Sequence, residues 1–186
     1  NGSADLTLTY SAGTTGTADV QNLSLSAVSA GTFTANGLET VAVTNSLTAN
    51  KLTNIAGSTL KAITVTGDQN FTMTGTNATA TIDASANTGK TSLVVSAAAS
   101  GAGSTITLGS GDDTLDVGTS LNPLDKIQGG AGTDTIKITA AGTINGGAAV
   151  SATSEFLQSG GFEVIDMAST ADVATLNVKD IAGVKT

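Results

Sequence analysis

The sequence predicts an all-β chain, wound as a right-handed parallel β-solenoid. Three observations carry that expectation. Apolar residues recur at every second position in many short runs punctuated by Gly, Asn, Ser or Asp, which is the period of a strand and not of a helix. Only 3% of the 186 residues are aromatic and 12% charged, with 23 Gly and 1 Pro. Such a chain lacks the bulk for a thick globular core but suits a thin core of small aliphatics wound along an axis. A long internal repeat, finally, overlies the short runs.

In chain order, Leu6-Thr7-Leu8-Thr9, Leu23-Ser24-Leu25 and Val41-Ala42-Val43 place aliphatics at alternate positions with small polar residues between them. The pattern continues in Ile63-Thr64-Val65, Phe71-Thr72-Met73, Thr81-Ile82-Asp83, Leu93-Val94-Val95 and Ile106-Thr107-Leu108. It resumes in Ile136-Lys137-Ile138 and Val164-Ile165-Asp166-Met167. The one weak helical candidate is Ala149 to Gln158, at most a surface turn. Gly37-Leu38-Glu39-Thr40-Val41 recurs as Gly161-Phe162-Glu163-Val164-Ile165, and Leu52-Thr53-Asn54-Ile55-Ala56-Gly57 as Val178-Lys179-Asp180-Ile181-Ala182-Gly183. The offset is roughly 125 residues, so the chain holds about one and a half modules of a tandem array. It opens at Asn1 in mid-pattern and reads as a fragment of a longer polypeptide.

The stretch from Thr105 to Ile138 is of a different kind. Gly129-Gly130-Ala131-Gly132-Thr133-Asp134-Thr135-Ile136-Lys137 fits the nonapeptide G-G-x-G-x-D-x-U-x, U being a large aliphatic, at every specified position. A second copy runs from Leu108 to Asp116, with Gly109, Gly111, Asp113 and Leu115 in register; between the two, Asp125-Lys126-Ile127 keeps only the D-x-U core. Glycines allow tight turns that aim carbonyl oxygens into one pocket, and each Asp adds a hard, charged oxygen. Calcium takes about six to eight oxygens at flexible geometry, more than one turn supplies. Successive nonapeptides alternate between the two sides of a roll, so the first and third copies stack. One calcium ion is therefore expected between Gly109–Asp113 and Gly129–Asp134, with Asp125 on the opposite side. The candidate metal residues are Gly109, Gly111, Asp112, Asp113, Asp125, Gly129, Gly130, Gly132 and Asp134.

Charge and composition exclude other chemistries. The net charge is −8 and all 7 basic residues are Lys, so no phosphate-binding arginine fork or basic patch suits a nucleic acid. An acidic surface suits divalent cations. Cys and His are absent, which removes thiol catalysis, the usual structural zinc sites and any His-based triad. No apolar run approaches the length of a membrane span, and no signal peptide is visible. Asp112-Asp113 is an adjacent acidic pair, but neighbouring turn residues point apart and do not converge as a catalytic dyad. Glu39 and Glu163 sit at matching places in the two modules, which argues for capping backbone N–H groups or holding a cation at a loop. Alternating threonines (Thr7/Thr9, Thr64/Thr66, Thr72/Thr74, Thr79/Thr81) are spaced too irregularly for a flat ice-binding ladder and fit ordinary strand preference. Asn70-Phe71-Thr72 and Asn77-Ala78-Thr79 match glycosylation sequons, frequent by chance in such a chain. Phe33, Phe71, Phe156, Phe162 and Tyr10 are expected in the core.

The order GLETVAVTNSLTANKLTN, KAITVTGDQNFTMTGTNATATIDASANTG, ITLGSGDDTLDV…DKIQGGAGTDTIKI and GGFEVIDM resembles the RTX-type S-layer proteins of Gram-negative bacteria, the Caulobacter and Campylobacter kind. The resemblance covers most of the chain; it departs in having only two good nonapeptides and no visible C-terminal secretion signal. It implies type I secretion, calcium-dependent folding outside the cell, a calcium-dependent two-dimensional lattice on the cell surface, and attachment to lipopolysaccharide through a region outside this chain. Three segments follow: a β-solenoid module over 1–104, an RTX-like calcium-binding β-roll over 105–138, and the start of the next β-solenoid module over 139–186. A structural role without enzymatic activity is expected. The competing expectation is the repeat region of a large RTX adhesin that binds a surface or host ligand. A roll attached to a secreted protease or lipase is a third, against which the long repeat weighs.

Overall fold

The computed structural model describes residues 5–9, 16–77, 79–95, 103–118, 125–137 and 160–166. These form strands and turns, with no helix among the described residues. The helical candidate Ala149–Gln158 lies outside the described residues, as do Tyr10, Phe156 and the repeat segment Val178–Gly183. Every strand pair is parallel, and the chain winds as a β-solenoid of about five turns. A residue typically lies beside one 20 to 22 positions away in the next coil.

Three sheets wrap the axis. One six-stranded sheet holds, in spatial order, β13 (Lys126–Gln128), β11 (Thr105–Thr107), β9 (Thr81–Asn87), β7 (Ala62–Gly67), β4 (Thr40–Ser46) and β2 (Val20–Ser26). The other holds β15 (Val164–Asp166), β14 (Thr135–Lys137), β12 (Thr114–Asp116), β10 (Thr91–Val95), β8 (Phe71–Asn77) and β5 (Asn50–Leu52). A third sheet of β1 (Leu6–Thr9), β3 (Thr32–Asn36) and β6 (Asn54–Ala56) closes one side of the early coils. The early coils are thus three-sided, and among the described residues the glycine–aspartate coils carry strands on two sides. The strands of the glycine–aspartate block continue both large sheets without a break in pairing.

Alternation does the folding work predicted for it. In β4 and β7 the inward residues are buried and their neighbours face out, which permits a core one side chain deep on each wall. Register then stacks like on like: Val41, Ile63, Ile82, Ile106 and Ile127 form one aliphatic ladder along the axis, all at most 2% exposed. Leu93, Leu115 and Ile136 form a second on the opposite wall. The aliphatics of the D-x-U cores, Leu115, Ile127 and Ile136, are therefore core residues. Phe33, Phe71 and Phe162 are buried as expected. Strands β5 and β6 were not signalled by alternation, since three-residue strands hold too few positions to show a period. β3 does alternate, with Phe33 and Ala35 inward, but a single alanine beside one aromatic is too weak an apolar signal to mark it.

The internal repeat is also a repeat of geometry. Gly37 and Gly161 both take positive φ, 85° and 72°, and the residues after them, Leu38 and Phe162, are buried. The Glu39 and Thr40 amides donate to Asp19 O at 3.2 and 3.1 Å; those of Glu163 and Val164 donate to Asp134 O at 3.1 and 3.0 Å. Each glutamate returns the bond, Glu39 Oε2 accepting from Asp19 N at 2.9 Å and Glu163 Oε2 from Asp134 N at 2.8 Å. The glutamates thus perform the N–H capping expected of them.

If the aliphatic ladders carry the stability, Ile63→Ala will destabilise the fold by about 2–5 kcal/mol, through lost burial and the cavity left behind. Lys51→Ala, at an exposed position of β5, will stay within about 0.5 kcal/mol. Urea unfolding midpoints measure both; equal effects would contradict the core assignment.

Candidate metal site at the glycine–aspartate corner

The corner that leads into the β5–β15 sheet presents one buried or capping residue per coil. Register places Asn50, Phe71, Thr91, Asp113, Asp134 and Glu163 in one column. Before it, at the end of the facing strands, run Asn45, Gly67 and Asn87, and then Gly109 and Gly130. The early coils fill this corner with amides and the later ones with carboxylates.

The amides satisfy themselves. Asn50 Oδ1 accepts the Val28 amide at 2.7 Å, and its Nδ2 reaches Thr48 O at 2.8 Å and Asn45 Oδ1 at 2.5 Å. Asn45 Nδ2 in turn donates to Gln69 O. Asn87 Nδ2 reaches Gly89 O at 2.9 Å and Thr91 Oγ1 at 3.1 Å. An amide both donates and accepts, so the fully buried Asn45, Asn50 and Asn87 bridge neighbouring coils at no charge cost.

A carboxylate only accepts. Asp113, 1% exposed, spends Oδ1 on the Thr91 amide at 2.6 Å and Oδ2 on the Gly109 amide at 2.8 Å. Asp134, 0% exposed, spends Oδ1 on the Asp113 amide at 2.8 Å, while its buried Oδ2 has no partner. Burial pushes the Asp113 carboxyl above its ordinary value, against the pull of the Thr91 and Gly109 amides. Burial pushes Asp134 up to about 6, reinforced by the negative charges of Asp113, Glu163 and Asp112 and opposed by the Asp113 amide.

The other predicted residues fall around this pair. Copies one and three of the nonapeptide are adjacent: Ala131 N donates to Gly109 O at 3.1 Å, and Thr133 N to Asp112 Oδ1 at 2.8 Å. Asp112 itself is exposed. Asp125 lies on the other large sheet, where its Oδ1 accepts the Ser104 amide at 2.6 Å. Gly130 and Gly132 take positive φ, 107° and 123°, and a Cβ on Gly130 would fall 2.0 Å from Gly109 O. At Gly109 a Cβ would fall 1.9 Å from Asn87 O, and at Gly111 it would meet the Gly89–Lys90 backbone at 2.7 Å. At Gly129 it would meet Asp134 Oδ2 at 2.7 Å and Gly161 O at 1.9 Å. The glycines therefore let carbonyl oxygens of one coil press against the backbone of the next.

Among the described residues, no three acidic side chains converge tightly enough to ligate one ion between them. A cation here would draw mainly on main-chain carbonyls, with Asp134 as its charged ligand. That donor set suits calcium, which accepts backbone carbonyls readily, and does not suit zinc. The orphaned Oδ2 of Asp134 and the glycine-lined cradle beside it fit the group. The sequence reading missed the Asn45–Asn50–Asn87 corner. Its one signal is the recurrence of Asn and Gly about one coil apart at 45, 67, 87 and 109, visible only once the coil length is known.

The pH dependence of the metal-free fold follows from Asp134. Its native value of about 6 exceeds the unfolded 3.8, so below about pH 4 both states hold the proton and no penalty applies. As pH rises through 6 the native state must ionise a buried group, and stability falls by at most about 3 kcal/mol. In chelator, Asp134→Asn is expected to remove that fall. Thermal melts at pH 4.5 and 7 for both proteins check it; parallel profiles would contradict the assignment. No family model, curated protein or solved structure matches the chain.

Proposed function

We propose that this chain is a structural segment of a secreted, self-assembling bacterial surface layer, in which calcium at the glycine–aspartate corner completes the fold. The observation that carries the calcium reading is the buried, unpartnered Oδ2 of Asp134, in a corner whose asparagine coils leave nothing unpaired. Asp134, the carbonyls of the 109–113 and 129–134 loops, and the Asp113 carboxylate beside them would hold the ion. Calcium supplies there the positive charge and the oxygen-seeking coordination that buried carboxylates lack.

The chain's own residues do the rest. The glycines keep the loops close, Asp113 and Asp134 each cap an amide of the coil before them, and Leu115 and Ile136 anchor the loops to the core. Without a cation, the stacked carboxylates and the net charge of −8 oppose compaction; with one, binding free energy becomes folding free energy. Calcium is scarce in the cytosol and abundant outside, so folding would wait for export. Lattice formation is supported by the sequence repeat at an offset of roughly 125 residues, as tandem modules of one array offer similar surfaces to one another.

Calorimetry on chelator-treated protein is expected to show saturable calcium binding that Asp113→Ala and Asp134→Ala abolish. At calcium a hundredfold above Kd the fold should gain about 2.7 kcal/mol. Electron microscopy of the protein at physiological and chelated calcium is expected to show periodic sheets only in the first. Absence of binding at millimolar calcium would overturn the mechanism. Calcium binding with glycan or cell attachment and no periodic array would replace the lattice with adhesion.

A further inference from the structure

The two aspartates of the corner are not equivalent. Asp113 has committed both oxygens to amides, whereas Asp134 keeps one buried oxygen free. That free oxygen lies beside Gly129 of its own loop, where the next coil also approaches. A Cβ built on Gly129 would lie 2.7 Å from Asp134 Oδ2 and 1.9 Å from Gly161 O, so an oxygen from each of two successive coils flanks the same glycine. The turn that supplies Gly161 is pinned to the roll. Gly129 N donates to Gly160 O at 2.9 Å, Gly160 N to Ile127 O at 3.0 Å, and Glu163 N to Asp134 O at 3.1 Å. Glu163 Oε2 accepts the Asp134 amide, which brings a second carboxylate to the same junction.

We propose that the cation at Asp134 is completed by the Gly161 carbonyl with the Glu163 carboxylate beside it, so that a hard divalent ion fastens the roll to the module that follows. The proposal rests on the calcium reading above but moves the ion one coil onward, from between the 109–113 and 129–134 loops to the boundary of the repeat. The boundary itself supports this. Asp19 and Glu39 open the earlier module with the same reciprocal bonds, and among the described residues Asp19 and Asp134 alone carry a buried side-chain oxygen without a partner. At both places the unpaired oxygen lies 2.7 Å from where a glycine Cβ would be, at Gly16 and at Gly129. Two glutamates at one position of a repeat, each facing an aspartate with an oxygen to spare, mark a device belonging to the module boundary and not to the nonapeptides alone.

Amide hydrogen exchange on the whole chain, with calcium and with chelator, tests the placement. The junction site predicts that calcium slows exchange at Glu163 and Val164 at least about as much as at Asp113 and Thr135. It also predicts that Glu163→Gln, which keeps an acceptor for the Asp134 amide but removes the charge, weakens calcium binding about tenfold, as loss of a supporting carboxylate does. Asp112→Asn, at the interface of the two nonapeptide loops, should weaken it less. Calcium binding that protects Asp113 and Thr135 but leaves Glu163 and Val164 unchanged would overturn the placement while sparing the calcium reading. So would a larger effect of Asp112→Asn than of Glu163→Gln. Absence of any calcium binding would remove both.

Discussion

Every coil of a parallel solenoid begins its strands with an amide that faces the preceding or following coil and needs an acceptor there. In this chain that acceptor is repeatedly a side chain. Glu39 serves Asp19, Asn50 serves Val28, Asp113 serves Thr91, Asp125 serves Ser104, Asp134 serves Asp113, and Glu163 serves Asp134. A buried backbone N–H without a partner costs about 1–3 kcal/mol, so these caps are obligatory and not decorative. Their choice of chemistry sets the rest. An amide cap closes its own hydrogen-bond account, while a carboxylate cap brings a buried negative charge and an oxygen in excess.

The division of labour between the two ends of the corner follows from that difference. Asn45, Asn50 and Asn87 satisfy this corner in the early coils by hydrogen bonds among themselves and to neighbouring carbonyls. Asp113 and Asp134 bring buried carboxylates into adjacent later coils, where they repel each other and desolvation penalises each. Asn at position 134 would be better paired in the absence of a cation. Under the calcium reading proposed above, the aspartate would be a ligand whose burial carries a stability penalty in the metal-free state.

Much of this was legible in the sequence. The nonapeptide at 129–137 announced its turns by glycine spacing, and alternation located most strands of the two large sheets, with Ile63, Ile82 and Ile106 as inward residues. The pairing of Gly37–Val41 with Gly161–Ile165 pointed to two turns of the same local geometry. What stayed hidden has a common cause: it depends on which residues meet across a coil. Asn45 and Asn87 are ordinary loop residues until the coil length brings them to one corner. Asp19 lies in no motif, and its likeness to Asp134 emerges only from shared hydrogen bonds. The third wall, β3 with β6, escaped because Asn54–Ala56 is too short to show a period.

Around the step from Asp134 to Glu163 the sheet alone holds register weakly. β12, β14 and β15 are three residues each, so few ladder bonds join them, and short strands specify register weakly. The step from Asp134 to Glu163 spans 29 residues, against about 21 elsewhere. One ion pair crosses the same strands, Lys137 with Asp166 at 3.2 Å, but both side chains are more than a third exposed and such pairs contribute little. Register there must come from the corner: from Gly161 at a φ most side chains resist, from Phe162 buried beneath it, and from the reciprocal bonds between Asp134 and Glu163. A cation shared across that corner would add a charge-specific lock where the backbone ladder is thin, and would leave unchanged the early coils, whose corner amides already bridge one coil to the next.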